Sequence, residues 1–162
     1  MRSSHVLLTV MILHVAALAA RAGGFAAELK VTDGRAEQSA RSKSPVAADQ
    51  MSHRVTLEVS TDAKLMATWK VIRTDGVEAK DVLVHFVVVK LDRRGQAAPA
   101  LDPSRVPIES ALTMDFPKDK TASGSQPFRV DSAGVYLVRI EAGGDPDKPG
   151  QEDFAEIELV VK

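Results

Sequence analysis

A chain of 162 residues holds one domain once a targeting segment is set aside, and its 44% apolar and 27% charged content is that of a globular protein, not a disordered one. Aromatic residues make up only 4%, so the core rests on Val, Leu, Ile and Ala, a mix that favours strands. A net charge of −1 without a basic stripe excludes a nucleic-acid or anionic-membrane surface, and the absence of cysteine excludes disulfides, thiolate metal sites and thiol chemistry.

Arg2, the apolar run from Val6 to Ala20 and the small-x-small sequence Ala20-Arg21-Ala22 have the layout of a secretory signal peptide over residues 1–22, cut after Ala22 or Ala26. The run falls short of the roughly 20 residues that a spanning helix needs, which argues against a retained anchor. Removing residues 1–22 takes away Arg2 and Arg21 and no acid, leaving 19 basic against 22 acidic residues. With no Asn there is no N-glycosylation sequon, so the simpler reading is a bacterial periplasmic or secreted protein without a membrane span after cleavage.

Residues 23–52 read as a flexible N-terminal segment. "GRAEQSARSKSPVAADQMS" (34–52) is polar, rich in small residues and aperiodic, and "AELKV" before it is either a short strand or part of the same tail. From 53 to 162 period-2 alternation dominates and defines the single folded domain.

"RVTLEVS" (54–60) turns Val55, Leu57 and Val59 one way, and "LMATWKVIR" (65–73) does the same with Leu65, Ala67, Trp69 and Val71. After the Asp75-Gly76 turn, "VLVHFVVVKL" (82–91) is apolar on both faces and so reads as a central strand covered on both sides, or one with a partner. A Pro- and Ala-rich loop precedes "IESALTMDF" (108–116), and "PKDKTASGSQ" reads as a second loop. "PFRV" then leads into "DSAGVYLVRIEA", which a Pro- and Gly-rich hairpin joins to the closing strand at 153–162. Seven alternating segments without a helical period predict an all-β fold, an antiparallel immunoglobulin-like sandwich of seven or eight strands. A small barrel is the alternative.

Three features resemble the immunoglobulin and fibronectin type III-like superfamily. "RVTLEVS" has the V-x-L-x-C spacing of an early immunoglobulin strand with Val59 at the Cys position, and Trp69 follows ten residues later. "DSAGVYLV" resembles the tyrosine corner, with Tyr136 as its tyrosine and Val138 at the second Cys position. In a second register, "ATWKV" with "YLVRIEA" resembles the Trp and Tyr strands of fibronectin type III, which has no disulfide. The resemblance implies a cysteine-less bacterial secreted sandwich with the Tyr136 ring in the core and its hydroxyl bonded to nearby backbone. The fold hosts many functions and names none.

Counted from Asp145, the last hairpin places Asp147, Gly150, Asp153 and Glu156 at positions 3, 6, 9 and 12 of a twelve-residue calcium loop. Pro149 at position 5 and the strand-like flanks depart from that pattern, and a solvated, aggregation-resistant hairpin explains the same residues. Met51, His53, Met66, His85 and Met114 are the soft-metal donors, and copper is the ion they would suit, although core packing also accounts for Met66 and Met114. No nucleophile elbow or base motif is present, so no catalysis is expected. If strands 65–73 and 82–91 were neighbours, Met66, Ile72, Val87, Val89 and Leu91 would form an outward apolar patch suited to an envelope or secreted protein partner; cover by the N-terminal linker or by the 92–107 loop is the alternative. The sequence therefore predicts an exported, non-catalytic interaction module, with a weak calcium- or copper-binding protein as the competing reading. An enzyme accessory or inhibitor that reaches its partner with a loop belongs to the same class.

Overall fold

The computed structural model describes residues 24–42, 54–97, 103–118, 120–143 and 153–162, and the expected signal peptide lies outside them. Alternating apolar and polar residues build nine strands: β1 (Phe25–Thr32), β2 (Glu37–Arg41), β3 (Thr56–Val59), β4 (Leu65–Arg73), β5 (Ala79–Leu91), β6 (Ile108–Phe116), β7 (Thr121–Phe128), β8 (Gly134–Ala142) and β9 (Asp153–Val161). They form a four-stranded sheet in the order β2-β1-β4-β7 and a five-stranded sheet in the order β3-β9-β8-β5-β6. All pairs are antiparallel except β3 with β9, which run parallel. The expected all-β sandwich is therefore what the chain adopts, with nine strands where seven or eight were expected and with one parallel pair in an otherwise antiparallel arrangement.

The core is the set of inward residues that period 2 delivers from each strand. Leu29, Val31, Ala67, Val71, Val84, Val88, Phe116, Val138, Ile140, Ile157 and Leu159 are all fully enclosed between the sheets. Phe86 meets Phe128 edge-on with centroids 6.0 Å apart, and Phe25 meets Phe116 at 5.1 Å, the favoured aromatic geometry.

Two segments differ from the sequence expectation. Part of the stretch expected to be a flexible tail is a hairpin: β1 lies inside the sheet between β2 and β4, and β2 is its edge. The turn is fixed by Asp33, whose Oδ1 accepts from the amides of Arg35 (2.8 Å) and Ala36 (2.7 Å), while Gly34 takes the left-handed conformation that such a turn requires. Likewise "TASGSQ", expected as a loop, belongs to β7. Its inward face is small because Trp69, opposite Gly124 on β4, lays its indole over that glycine; a Cβ there would meet Trp69 Cζ2 at 2.5 Å.

The tyrosine corner forms as expected. Tyr136 is buried, its hydroxyl donates to the Ser132 carbonyl at 3.0 Å, and Ser132 Oγ lies 2.6 Å from the same oxygen. Val138 packs in the core, but Val59 is not its counterpart. The immunoglobulin cysteines bridge opposing sheets, whereas β3 and β8 share one sheet with β9 between them. Val59 pairs with Val161, which pairs with Gly134, so Val59 and Val138 are separated by two strands and four residues. That is on the order of 16 Å, far outside disulfide reach. Trp69 and Tyr136, the pair of the second register, do stand on opposing sheets within one core.

Tyr136→Phe is expected to lower unfolding stability by about 1 kcal/mol, one net hydrogen bond. Gly124→Ala is expected to cost about 1–3 kcal/mol, because the new methyl forces the Trp69 ring from its place. Urea unfolding followed by tryptophan emission measures both, and an unchanged midpoint in either variant would reject that account.

Candidate functional site

Among the described residues, the outer face of the five-stranded sheet holds a concentrated group of ionisable side chains. It begins with β5, whose residues Val84 to Val89 are buried on both faces. Val84, Phe86 and Val88 enter the core between the sheets. Val87, Val89 and Leu91 point the other way and, with Leu137 of β8, form a second buried layer with exposures of 1%, 2%, 4% and 0%.

Chain returning after β5 is fastened onto that outer face by two charged residues. The Glu158 carboxylate, itself buried, accepts from Gly95 N at 2.6 Å and Arg94 Nε at 3.1 Å. Arg54 donates to the Gln96 carbonyl and to Glu156. The apolar patch anticipated from Met66, Ile72, Val87 and Val89 consequently does not form. Strands β4 and β5 belong to different sheets, Val87 and Val89 are buried, and the exposed Met66 stands on the outer face of the other sheet.

Within this layer period 2 brings His85 outward beside Glu141 of β8 and near Glu109 of β6. His85 Nδ1 lies 2.8 Å from Glu141 Oε1 and Nε2 lies 2.9 Å from Glu109 Oε1. Only an imidazolium donates from both nitrogens, so this geometry selects the charged ring. The Glu141 hydrogen bond, opposed by burial and reinforced by the charges of Glu141 and Glu109, holds the His85 pKa above its ordinary 6.5. Burial pushes the Glu141 carboxyl up, but the His85 hydrogen bond and the Arg139 charge outweigh it and keep its pKa below 4.5. Arg139 Nε is 2.8 Å from Glu141 Oε2 as an ion pair, without hydrogen-bond alignment, and its guanidinium stacks 4.0 Å over the Phe154 ring.

This arrangement stores charge and joins three strands, β6, β5 and β8. It leaves neither imidazole nitrogen open to ligate a metal or take a proton from a substrate. Asp153 makes a second tie, its Oδ2 accepting from Phe25 N at 3.0 Å, so that β9 holds the start of β1 in the facing sheet. Burial pushes the Asp153 carboxyl above its ordinary 3.8.

Of the sequence-derived metal donors, those among the described residues are not brought together. Asp145 and Asp147 lie outside the described residues, while Asp153 points inward to Phe25 and Glu156, three residues on, points outward to Arg54. Opposite faces of one strand cannot converge on one calcium ion. Met51 and His53 also lie outside the described residues, Met114 packs against the core, and Met66 and His85 stand on the outer faces of different sheets. Among the described residues no group of three or more metal-ligating side chains is assembled, and no helix is long and apolar enough to cross a membrane. Sequence reasoning missed the Glu109–His85–Glu141 ties because a strand pattern gives faces but not which strands are neighbours.

The raised His85 pKa fixes the sign of a pH effect. Its contribution is complete below the unfolded pKa near 6.5 and is lost as pH rises through the higher folded value. The stability advantage of the wild type over His85→Gln should therefore shrink as pH is raised from 6, and Glu141→Gln should flatten that dependence. Urea midpoints across a pH series measure this, and a difference constant with pH would refute the charged ring.

No family model matches the chain, and no curated protein matches it in sequence. Solved structures match it at low identity and with TM-scores below 0.5. The C-terminal domain of wzt is 13% identical with a TM-score of 0.41, the match covering 67% of this chain and 63% of that one, so the chain spans less than two thirds of that domain. The PmoD soluble domain from Methylocystis sp. ATCC 49242 (Rockwell) is 10% identical with a TM-score of 0.43, covering 84% of this chain and 90% of that one.

Proposed function

We propose that this chain is an exported, non-catalytic immunoglobulin-like module that acts by binding another protein of the cell envelope. The observation that carries the reading is the way the Glu109–His85–Glu141 cluster is closed: His85 is buried and held at both nitrogens, so its ring serves to join strands. Export rests on the leader-like layout of residues 1–22. The immunoglobulin-like assignment rests on strand order, since β4-β7 and β9-β8-β5-β6 follow the B-E and G-F-C-C′ order of that scheme, with the tyrosine corner opening the F equivalent.

Two measurements test the proposal. Calorimetric titration of the folded chain with calcium and with copper should give no sub-millimolar binding; binding lost in Asp145→Ala or His85→Ala would replace this reading with a metal-binding one. Fractionation of the host should place the chain outside the cytoplasm, and photo-crosslinking there should retrieve one recurrent protein. Cytoplasmic retention, or the absence of any recurrent crosslink, would overturn it.

A further inference from the structure

Among the described residues the sandwich has four edge strands, and three of them are poor templates for another chain. β3 is four residues long, β2 is five with charged residues at both ends, and β7 carries Gly124 and Pro127. Short length, charge and proline are the usual means by which sheets discourage addition at an edge. β6 lacks two of these protections: its nine residues, "IESALTMDF", include no Pro, Gly or Lys, its only charges are the acids Glu109 and Asp115, and it pairs only with β5 among the described strands. Residues Glu109 to Thr113 are exposed in succession, so both faces of this half of the strand are open, and Leu112 keeps 40% of its surface in water.

Resting on the interaction reading above, we propose that the β6 edge is the docking surface and that it takes an extended partner segment, added as a further strand, in which basic and apolar residues alternate. The alternation follows from β6 itself. Glu109 and Asp115 share the outer face, β6 itself carries no basic residue, and Asp115 Oδ1 accepts from Asp81 N at 3.1 Å while Lys120 Nζ donates to the Asp115 carbonyl at 2.9 Å. His85 holds Oε1 of Glu109, yet that side chain remains 58% exposed and able to meet an incoming cation. Ile108, Leu112 and Met114 share the other face and call for apolar neighbours. The same charges disfavour a second copy of this chain. Two-fold pairing centred on Leu112 would set Glu109 opposite the other copy's Asp115 twice, and like charges directly opposed destabilise a sheet.

The probe is a nine-residue synthetic peptide alternating Lys and Val, added to the full-length chain while amide hydrogen exchange is followed. The expected result is saturable, salt-weakened binding with exchange slowed chiefly on β6. Leu112→Lys, at an exposed position, should leave the thermal transition unchanged and weaken the peptide at least tenfold; Ser110→Lys is the second variant if the first unfolds. Slowing on another strand, no binding at millimolar peptide, or self-association abolished by Leu112→Lys would each overturn the proposal. A recurrent envelope crosslink that maps away from β6 would refute this edge while leaving the interaction reading intact, whereas the absence of any crosslink would remove that reading as well.

Discussion

The burial of β5 on both faces is the constraint from which most of this structure follows. A strand with Val84, Phe86 and Val88 on one side and Val87, Val89 and Leu91 on the other cannot tolerate water on either. At about 25 cal/mol per Å2 of apolar surface, leaving either layer open would cost several kcal/mol, a large part of a small domain's stability. One side is covered by the opposing sheet. The other needs chain fastened down, and the fastening is polar, through Glu158 to Arg94 and Gly95 and through Arg54 to Gln96.

That choice explains why ionisable groups collect where an apolar patch was anticipated. A buried carboxylate such as Glu158 is tolerated because a guanidinium and a backbone amide occupy its oxygens, and His85 is tolerated because two carboxylates hold its ring. Pairing of this kind specifies register, since a one-residue slip of β5 against β8 would turn His85 into the core and away from Glu141. The cluster therefore belongs to the architecture. Within it His85 is held at both nitrogens, while the Glu109 side chain stays 58% exposed.

The fold was legible in the sequence wherever apolar residues alternate, as in β4 and β9, and at the tyrosine corner, where Asp131 to Tyr136 encode a local turn. It was obscured where inward positions hold small or polar residues. β2 places Gln38 and Ala40 inward, and β7 places Ala122 and Gly124 there, so neither carries the apolar signature of a strand. In β7 the missing volume comes from Trp69 on a neighbouring strand, which no local pattern reveals. The Asp33-Gly34 turn was the available signal for the first hairpin. The ionic ties were less accessible still, because Glu109, His85 and Glu141 are joined by strand adjacency, and the Val59 correspondence failed for the same reason: spacing along a chain does not say which sheet a strand will enter.

The parallel pairing of β3 with β9 carries a consequence for the order in which the molecule is completed. β9 is an interior strand between β3 and β8, so neither neighbour has its full complement of backbone hydrogen bonds until residues 153–161 exist. Synthesis from the N-terminus makes that strand last, and sheets closed by distant segments fold slowly. Until that strand joins, β3 has no neighbour in its sheet among the described strands and β8 keeps one edge open, so the five-stranded sheet is sealed by its most sequence-distant pairing, that of residues 56–59 with 158–161.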